Sequence, residues 1–437
     1  MSDAALAVLP DPLLDDRIRG FPPAHPPLRL GAIGAQNWAP YDGRMALPLL
    51  SLDEAAFARN VETMMAYVRD KEVEIAPHAK TPMVPALAEV LVKAGAWGTT
   101  VADIRQAGVL LRSGQRRLIL ANEIGGLSAA RRLAALLAGF ADAELHIFVD
   151  SVEAVEALHQ AWSERGDLPP LGLLIELGAG RAGARTIEAG LRILERILAV
   201  ETAQFRLTGV AAYEGAAATA DALETAQRID ALMQLTGDFL AQLRARIGKV
   251  RALILTAGGS VFFDRVIAGL GAAVAADPNC RLILRSGAIF FHDHGVYERG
   301  MAALDARGGF VIDGAVRAAS AAFQPALKVW AEVLSRPEPD LAICGMGLRD
   351  VANDQGLPRP LSLYREGQKV ANLDGCAVLR LNDQHVFLRL DPASLVNVGD
   401  IIVFGISHPC TCLDRHAILY GLDPEQRVSG AYLTCFG

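Results

Sequence analysis

The sequence VEIAPHAKT, residues 73–81, ends a short apolar-leaning run at Pro77 and places Lys80 three residues later. A helical pattern starts near Met83, so Lys80 follows a predicted strand and precedes a predicted helix. In barrels and open parallel sheets, that end of a strand carries the chemistry. A desolvated lysine can lose its proton, and the neutral amine is a good Schiff-base nucleophile. The alternative is a solvated loop lysine, as most lysines are, so the rest of the chain must decide.

The composition narrows the class of protein. The chain has 437 residues with 52% hydrophobic and 21% charged side chains, a net charge of −7 and six dispersed cysteines. An acidic chain without a basic block argues against nucleic acid and anionic membranes as partners, and no apolar run is long enough for a membrane helix. The first residues lack a basic region before an apolar core, so we expect no signal peptide. Unpaired cysteines fit a reducing compartment, and we expect a cytoplasmic protein.

Between residues 46 and 305, apolar runs alternate with helical patterns. Several runs are continuously apolar, as strands buried on both faces are. Alternating strands and helices of this number predict a parallel (β/α)8 barrel of the TIM type, an α/β fold, with a doubly wound open sheet as the alternative. The predicted strands are 73–77, 97–101, 118–121, 145–149, 171–177, 206–213, 251–256 and 281–285, and the helices that separate them are 83–94, 103–112, 126–139, 151–165, 186–200, 218–246 and 260–270.

The sequence changes character on either side of that region. Residues 1–45 are rich in proline, which predicts an irregular N-terminal segment. After about residue 310, helical periodicity fades and short β-type runs are separated by Pro, Gly, Asn and Asp turns. We therefore predict that residues 306–437 form a C-terminal, mostly antiparallel β domain. Its predicted strands are 328–334, 341–344, 376–381, 385–390 and 400–406.

Three further strand ends in the predicted barrel carry residues suited to ligand binding, and the first two are those of the fifth and sixth strands. The turn GAGRAG, residues 178–183, lets backbone approach a ligand closely and holds the cation Arg181. Tyr213 ends the next strand, where its ring can stack on a ligand or its hydroxyl can bond one. In each case a solvated loop or a core-edge residue is an equally good interpretation.

The strongest anion site predicted from the sequence follows the seventh strand. Thr256, Gly258, Gly259 and Ser260 lead directly into a helix. Backbone N–H groups at such a helix start, together with a hydroxyl, bind anions. The phosphate pocket of barrels usually follows strands seven and eight, so the position of this turn adds to its weak sequence signal.

The predicted β domain carries a possible metal site. His408 and Cys410 follow its last strand, and imidazole and thiolate are both good zinc ligands. Two ligands do not make a structural zinc site, but a catalytic zinc keeps open positions. His292, Asp293 and His294 form another polar cluster, which we interpret as polar surface rather than as a metal site.

Taken in order, these residues resemble one known family. Pro-His-x-Lys-Thr, Gly-x-Gly-Arg-x-Gly, Tyr-Glu-Gly, a Gly-Gly turn and His-x-Cys together are similar to the D-serine dehydratase and D-threonine aldolase group. These are fold-type III enzymes dependent on pyridoxal phosphate (PLP), with an alanine racemase-like barrel and a C-terminal β domain. The resemblance covers about residues 45–420. It implies a small D-amino acid as substrate and a homodimer as assembly.

The resemblance also implies roles for individual residues. Lys80 would be the Schiff-base lysine, with His78 beside it, and Arg181 would face the pyridine nitrogen. Because an arginine there keeps that nitrogen unprotonated, PLP would be a weaker electron sink than it is beside a carboxylate. Gly258, Gly259 and Ser260 would bind the phosphate.

The metal pair of the family corresponds to His408 and Cys410, which would hold Zn2+ or another divalent metal. The dehydratase branch is similar in using His-x-Cys, whereas aldolases typically have His-x-Asp. The chain departs from the family at Pro82, where His or Lys is common, and at Ala216, where a histidine is often seen. An acid–base role at either position is therefore not implied.

Four functional hypotheses follow. The first is a PLP- and zinc-dependent dehydratase of D-serine or a related 3-hydroxy-D-amino acid, giving a keto acid and ammonia. The second is a metal-dependent aldolase of such substrates, giving glycine and an aldehyde. The third is a non-catalytic PLP-binding barrel, which would not need His408 and Cys410. A racemase is the fourth, and it would need a second base such as a tyrosine of the partner's β domain.

Overall fold

The computed structural model describes residues 11–436 and contains a barrel and a β domain. Eight parallel strands form one curled sheet, so the predicted (β/α)8 class is confirmed and the doubly wound alternative is wrong. Their register is regular except for one irregularity between the fifth and sixth strands. In chain order, the barrel strands are Glu74–Ile75, Thr99–Val101, Arg117–Leu120, Glu144–Val149, Leu171–Leu177, Phe205–Ala212, Leu253–Ala257 and Cys280–Leu284.

The ring closes between the first and second barrel strands, which are the two shortest. A single parallel bridge joins His78 to Thr100 there. The Thr100 N–H donates to the Pro77 carbonyl at 2.9 Å, and the Ala79 N–H donates to the Thr100 carbonyl at 2.8 Å. The chain just before Lys80 is therefore held by the second strand although its own regular strand ends at Ile75.

Helices follow the strands, and most begin at a side-chain cap. Asp53, Asp103, Ser151, Thr186 and Asp221 each accept a backbone N–H three residues later, which satisfies a donor that would otherwise be unpaired. None of the described helices is long and apolar enough to cross a membrane. The longer helices are Glu54–Asp70, Pro85–Lys93, Ile104–Arg112, Gly126–Leu137, Val152–Ser163, Ile187–Val200, Ala222–Ile247, Phe263–Ala275 and Val296–Ala306.

The second sheet is built around one long strand, Leu327–Glu338. It pairs in antiparallel fashion with Leu341–Cys344, Ile401–Gly405 and Leu49–Asp53, so the predicted antiparallel β domain is confirmed. Leu49–Asp53 comes from the N-terminal side of the barrel and also pairs in parallel with Ile418–Leu422. The remaining strands of this sheet are Arg359–Arg365, Gln368–Asn372, Ala377–Leu381, Val386–Arg389 and Val428–Leu433.

The N-terminal segment lies against that sheet. Its regular structure is limited to Leu13–Leu14, Leu28–Arg29 and the 3-10 helix Leu30–Gln36. Phe21 and Trp38 pack edge to face at 5.4 Å and belong to a buried apolar cluster with residues of the β sheet. The first ten residues of the predicted segment 1–45, including the stretch on which the signal-peptide prediction depends, lie outside the described residues. The predicted domain boundaries at 45 and 305 stay predictions.

The barrel and the β domain meet in a close backbone crossing. The His294 N–H donates to the Ile406 carbonyl at 2.9 Å, and the Val296 N–H donates to the Ser407 carbonyl at 3.1 Å. Gly295 lies between these two donors, and a Cβ on it would fall closer than 3.0 Å to the Ser407 backbone. The crossing therefore requires glycine, because backbone atoms cannot move aside as a flexible side chain can.

We predict that Gly295→Ala destabilises the protein. Forcing a methyl group against the Ser407 backbone should lower the free energy of unfolding by about 1–3 kcal/mol, as overpacking typically does. Gly430→Ala is the matched control, since a Cβ there meets nothing within 4 Å. Chemical denaturation of both variants measures the difference. Equal stabilities would show that the crossing tolerates a side chain.

Candidate functional site

A cavity of about 460 Å³ opens at the carboxyl ends of the barrel strands, beneath the β domain. Nine of the ten residues selected from the sequence line it: His78, Lys80, Arg181, Tyr213, Gly258, Gly259, Ser260, His408 and Cys410. They come from four strand ends of the barrel and from one loop of the β domain. A larger cavity, of about 630 Å³, lies at the opposite ends of the strands and contains none of them.

Lys80 lies in the turn after the first barrel strand, and its side chain is exposed at the cavity. Its backbone N–H donates to Nδ1 of His78 at 3.4 Å. Burial, helped by the positive charges of Lys80 and Arg285, holds the pKa of His78 well below its ordinary value. His78 is therefore neutral at physiological pH, and its imidazole orients the lysine turn without adding charge.

The Gly-Gly turn after the seventh strand already binds an anionic side chain. The Glu214 carboxylate accepts the N–H of Gly258 at 3.0 Å and the N–H of Gly259 at 2.5 Å. Gly258 has φ of 95°, a conformation that favours glycine. Ser260 closes the turn, since its Oγ accepts the N–H groups of Gly287 and Ile289 at 3.2 Å each. Glu214, for which the sequence contained no separate signal, therefore fixes the shape of the predicted phosphate turn.

Two arginines stand near the cavity floor. Arg181 has a half-exposed side chain, and its guanidinium lies 5.2 Å from the centre of the Tyr213 ring. Arg285 is buried and donates to Thr256 Oγ1 at 2.8 Å and to the Ala212 carbonyl at 2.7 Å. Thr256 is fully buried and is the one selected residue that does not line the cavity. Arg285 ends the predicted eighth strand, so the strand-end rule could have selected it.

Carboxyl groups lie behind Arg181. The Glu176 carboxylate is 3.9 Å from the Arg181 guanidinium and is buried. Burial and a hydrogen bond with Glu176 raise the pKa of Glu123 to about 8. At neutral pH Glu123 is therefore mostly protonated and adds little negative charge to this group.

The β domain brings His408 and Cys410 to the edge of the cavity next to Lys80. The Cys410 Sγ is 3.3 Å from the hydroxyl of Thr81, the residue after the lysine. Asp354, which no sequence pattern indicated, accepts Nδ1–H of His408 at 2.6 Å. The other ring nitrogen of His408 is thereby left for Cys410, with which His408 also forms a hydrogen bond.

The charges of this pair are coupled. Burial would lower the pKa of His408, but the hydrogen bonds to Cys410 and Asp354 outweigh it and raise that pKa to about 9. Burial likewise opposes ionisation of Cys410, yet hydrogen bonds from His408 and Thr81 hold its pKa below the ordinary thiol value. Cys412 differs, since burial raises its pKa to about 12 and its thiol faces the Asp350 carbonyl. Of the cysteines that the structure describes, Cys410 alone lines the cavity.

Tyr297 is a further wall residue that the sequence did not indicate. It belongs to the helix Val296–Ala306, lines the cavity and forms a hydrogen bond with Cys410. Burial, together with the neighbouring Cys410, raises the pKa of Tyr297 well above its ordinary value. The Asp293 carboxylate accepts the Tyr297 N–H at 2.9 Å. The prediction that residues 292–294 are polar surface is wrong, since His292 and Asp293 are buried. The cluster instead helps to hold the helix that carries Tyr297.

The wall fits PLP in three respects. It carries a lysine, a built anion-binding turn and an arginine, all around one cavity of suitable size. A phosphate group would meet the wall at Ser260, Gly287 and Ala288, beyond the two amides that Glu214 uses. Lys80 would hold the aldehyde end of the cofactor, while Arg181 is the candidate for the ring nitrogen.

The donor set fits a zinc ion with open positions. His408 and Cys410 provide imidazole and thiolate, and Asp354 is the carboxylate that orients a metal-binding histidine in many zinc sites. Among residues 11–436, however, no group of three or more His, Cys, Asp or Glu side chains is arranged to hold a metal. Any metal here would therefore have two protein ligands, and its remaining positions would be open to solvent or substrate.

Comparisons with known proteins identify two matching domain families and several relatives. The alanine racemase N-terminal domain family matches residues 52–259, and the serine dehydratase domain family matches residues 326–422. D-threonine aldolase of Arthrobacter sp. is 25% identical over 375 residues, which are 85% of this chain and 88% of that protein. The 3-hydroxy-D-aspartate aldolase of Paracoccus denitrificans is 26% identical over 370 residues, which are 80% and 85% of the two chains.

Solved structures share the fold. The crystal structure of D-threonine aldolase from Filomicrobium marinum has a TM-score of 0.70 and 22% identity, covering 90% of this chain and 95% of that chain. D-threo-3-hydroxyaspartate dehydratase from Delftia sp. HT23 has a TM-score of 0.68 and 19% identity, covering 89% and 97%. Both the barrel and the β domain are included in these matches.

We predict that Glu214→Ala weakens PLP binding. Removing the carboxylate leaves the N–H groups of Gly258 and Gly259 without their acceptor, so the turn loses its fixed shape. Hydrogen bonds to charged groups stabilise a fold by about 1.5–3 kcal/mol, so a loosened turn that must be ordered again on binding should raise the Kd for PLP by roughly tenfold or more. Absorption titration of apoprotein with PLP measures the change, with the exposed Glu153→Ala as control. An unchanged Kd in a folded Glu214→Ala protein would contradict the role given to Glu214.

Proposed function

Because this chain belongs to the D-serine dehydratase and D-threonine aldolase group of fold-type III PLP enzymes, we propose that it is a PLP- and zinc-dependent dehydratase. Its substrate would be D-serine or a related 3-hydroxy-D-amino acid, and its products a keto acid and ammonia. The observation that carries the proposal is the position of His408 and Cys410, whose thiol is 3.3 Å from the residue next to Lys80. A metal-binding pair and a basic amine thus face one cavity.

Several groups of the wall have a role in that reaction. PLP, when bound, supplies an electron sink for negative charge at the substrate α-carbon. The Lys80 amine removes the proton from that carbon, since it is the basic group exposed at the cavity. Neutral His78 accepts the Lys80 backbone N–H and keeps the turn in place. Zinc on His408 and Cys410 would supply Lewis-acid stabilisation at the substrate β-hydroxyl.

Dehydration rather than aldol cleavage is favoured by the proton chemistry of the wall. Loss of hydroxide needs a proton donor or Lewis acid at the β-oxygen, whereas aldol cleavage needs a base that takes the hydroxyl proton. Tyr297 holds its proton, because burial raises its pKa. No carboxylate lines the cavity among residues 11–436. Ala216 moreover stands where the family often has a histidine.

An aldolase is the second candidate, favoured by a different observation. The Arthrobacter and Paracoccus relatives that align over most of this chain are both named aldolases. The Cα–Cβ bond of the same substrate would then break, and the products would be glycine and an aldehyde. A PLP-binding barrel without turnover is a third candidate, but it gives no reason for the His408–Cys410 pair and its Asp354 partner.

The product assay separates these candidates. Purified protein with PLP and zinc is incubated with D-serine, D-threonine and 3-hydroxyaspartate isomers, and keto acid, ammonia and glycine are all measured. We expect keto acid and ammonia in equal amounts and no glycine. Lys80→Ala is the control, and it should also abolish covalent retention of the cofactor after borohydride reduction. Glycine with an aldehyde would replace the dehydratase by the aldolase, and no product from any substrate would favour the non-catalytic barrel.

We predict that Cys410→Ala removes zinc but leaves PLP bound, because the two groups depend on different domains. Metal analysis and the PLP absorption spectrum measure this directly. Turnover of D-serine should fall on the order of 100-fold or more, since Lewis-acid stabilisation is worth several kcal/mol. Turnover of β-chloro-D-alanine, which has a good leaving group, should fall much less.

Cys376→Ala is the control, as this half-buried cysteine lies in the β domain away from the cavity. Equal losses for both substrates would contradict leaving-group activation by the metal.

A further inference from the structure

Two carboxamides on the cavity wall, Gln106 and Asn122, have no task in the reaction proposed above. Gln106 lies in the first turn of the helix Ile104–Arg112, and Asn122 follows the third barrel strand. Both line the cavity, as does Ala102 between them. Each carboxamide bonds to the backbone of Ala102. Ala102 is therefore the shared backbone partner of both side chains.

The anchor fixes which atoms of Gln106 face the cavity. Its Oε1 accepts the Ala102 N–H at 2.8 Å, so the amide cannot turn over without losing this bond. Its Nε2 makes no hydrogen bond with the described residues, and Gln106 is largely buried in the wall that lines the cavity. Gln106 therefore presents two N–H donors to the cavity. Asn122 donates its Nδ2–H to the Ala102 carbonyl at 3.2 Å. This bond restrains Ala102, whose own N–H binds Gln106.

Most other donors near the cavity already have partners, and Arg181 is the candidate for the ring nitrogen of PLP. Arg285 donates to Thr256 and Ala212, and Glu214 accepts the amides of the Gly-Gly turn. Tyr297 forms its hydrogen bond with Cys410. A 3-hydroxy-amino acid brings three polar groups, of which the amine goes to the cofactor and the hydroxyl to the metal pair. Its α-carboxylate needs N–H donors, because a buried carboxylate without them is costly.

We propose that the Gln106 amide donates to the α-carboxylate of the substrate and that Asn122 is a positioning residue for Gln106. This inference rests on the proposed function for the identity of the ligand, an α-amino acid. It does not depend on whether the hydroxyl leaves or the Cα–Cβ bond breaks. A neutral amide at this place also discriminates little between side chains, so it would serve D-serine and larger 3-hydroxy-D-amino acids alike.

Gln106→Glu is the sharpest variant. It keeps the size of the side chain and an oxygen for the Ala102 N–H, but it replaces the two donors by a carboxylate oxygen that repels an anion. Gln242→Glu adds the same charge at an exposed glutamine on a barrel helix and serves as the control. Both proteins are used as holoenzymes with PLP and zinc, and thermal unfolding checks that they are folded.

The binding test uses 3-hydroxypropanoate, which carries the carboxylate and the hydroxyl but no amine and therefore cannot react with the cofactor. Calorimetry should give a Kd at least roughly tenfold higher for Gln106→Glu than for wild type. The neutral 3-hydroxypropanamide should bind both proteins equally. An unchanged Kd for 3-hydroxypropanoate in folded Gln106→Glu overturns the inference, whatever reaction the enzyme catalyses. Failure of the product assay alone would overturn the proposed function instead.

Kinetics with the substrates that turn over supply the second measurement. Gln106→Glu should raise KM roughly tenfold or more for D-serine and for 3-hydroxyaspartate alike, with kcat changed much less. A rise confined to 3-hydroxyaspartate would overturn the assignment to the α-carboxylate. Asn122→Ala keeps the inference testable if Gln106→Glu fails to fold. It should raise KM in the same direction but by less, and an unchanged KM would overturn its positioning role.

Discussion

The geometry of the candidate site depends on the backbone crossing between the barrel and the β domain. Two hydrogen bonds, from His294 to Ile406 and from Val296 to Ser407, fix how the loop that follows lies over the barrel mouth. Gly295 makes the crossing possible, since its missing side chain lets the two backbones touch. Because Cys410 is only three residues beyond Ser407, the same contact sets where the thiol stands relative to the lysine turn.

The charge distribution around the cavity follows a simple pattern. The wall itself carries Lys80, Arg181 and Arg285 but no carboxylate among the residues that the structure describes. The nearest acidic groups lie behind the wall, and each one is hydrogen-bonded to a residue that lines the cavity or lies beside such a residue. Glu214 holds the Gly-Gly amides, Asp354 holds His408, and Glu176 stands beside Arg181. Such an arrangement orients cationic and N–H groups toward a ligand while leaving the cavity attractive to anions.

The sequence predicted what depends on local pattern. All eight barrel strands were located, because buried parallel strands are continuous apolar runs separated by helical periodicity. Five strands of the second sheet were not predicted: Leu49–Asp53, Arg359–Arg365, Gln368–Asn372, Ile418–Leu422 and Val428–Leu433. Three of them are mostly exposed or half-buried, so they lack the continuous apolar run that located the barrel strands. At the site, the strand-end rule found the lysine and the glycine turns. It could not find Asp354, Tyr297 or Gln106, whose positions depend on tertiary packing rather than on any spacing.

Whether the proposed reaction is elimination or cleavage of the Cα–Cβ bond depends on the groups that would face the substrate β-hydroxyl. A PLP enzyme that has removed an α-proton can eliminate a β-substituent only if that group is able to leave, and hydroxide leaves poorly without a Lewis acid or a proton donor. The β domain contributes the metal pair, and the barrel contributes the protonated Tyr297 bonded to Cys410. An aldolase would need a proton acceptor at the same place. Ala216, where the family often has a histidine, supplies none, and this is why we propose elimination rather than cleavage for this barrel, lysine and glycine turn.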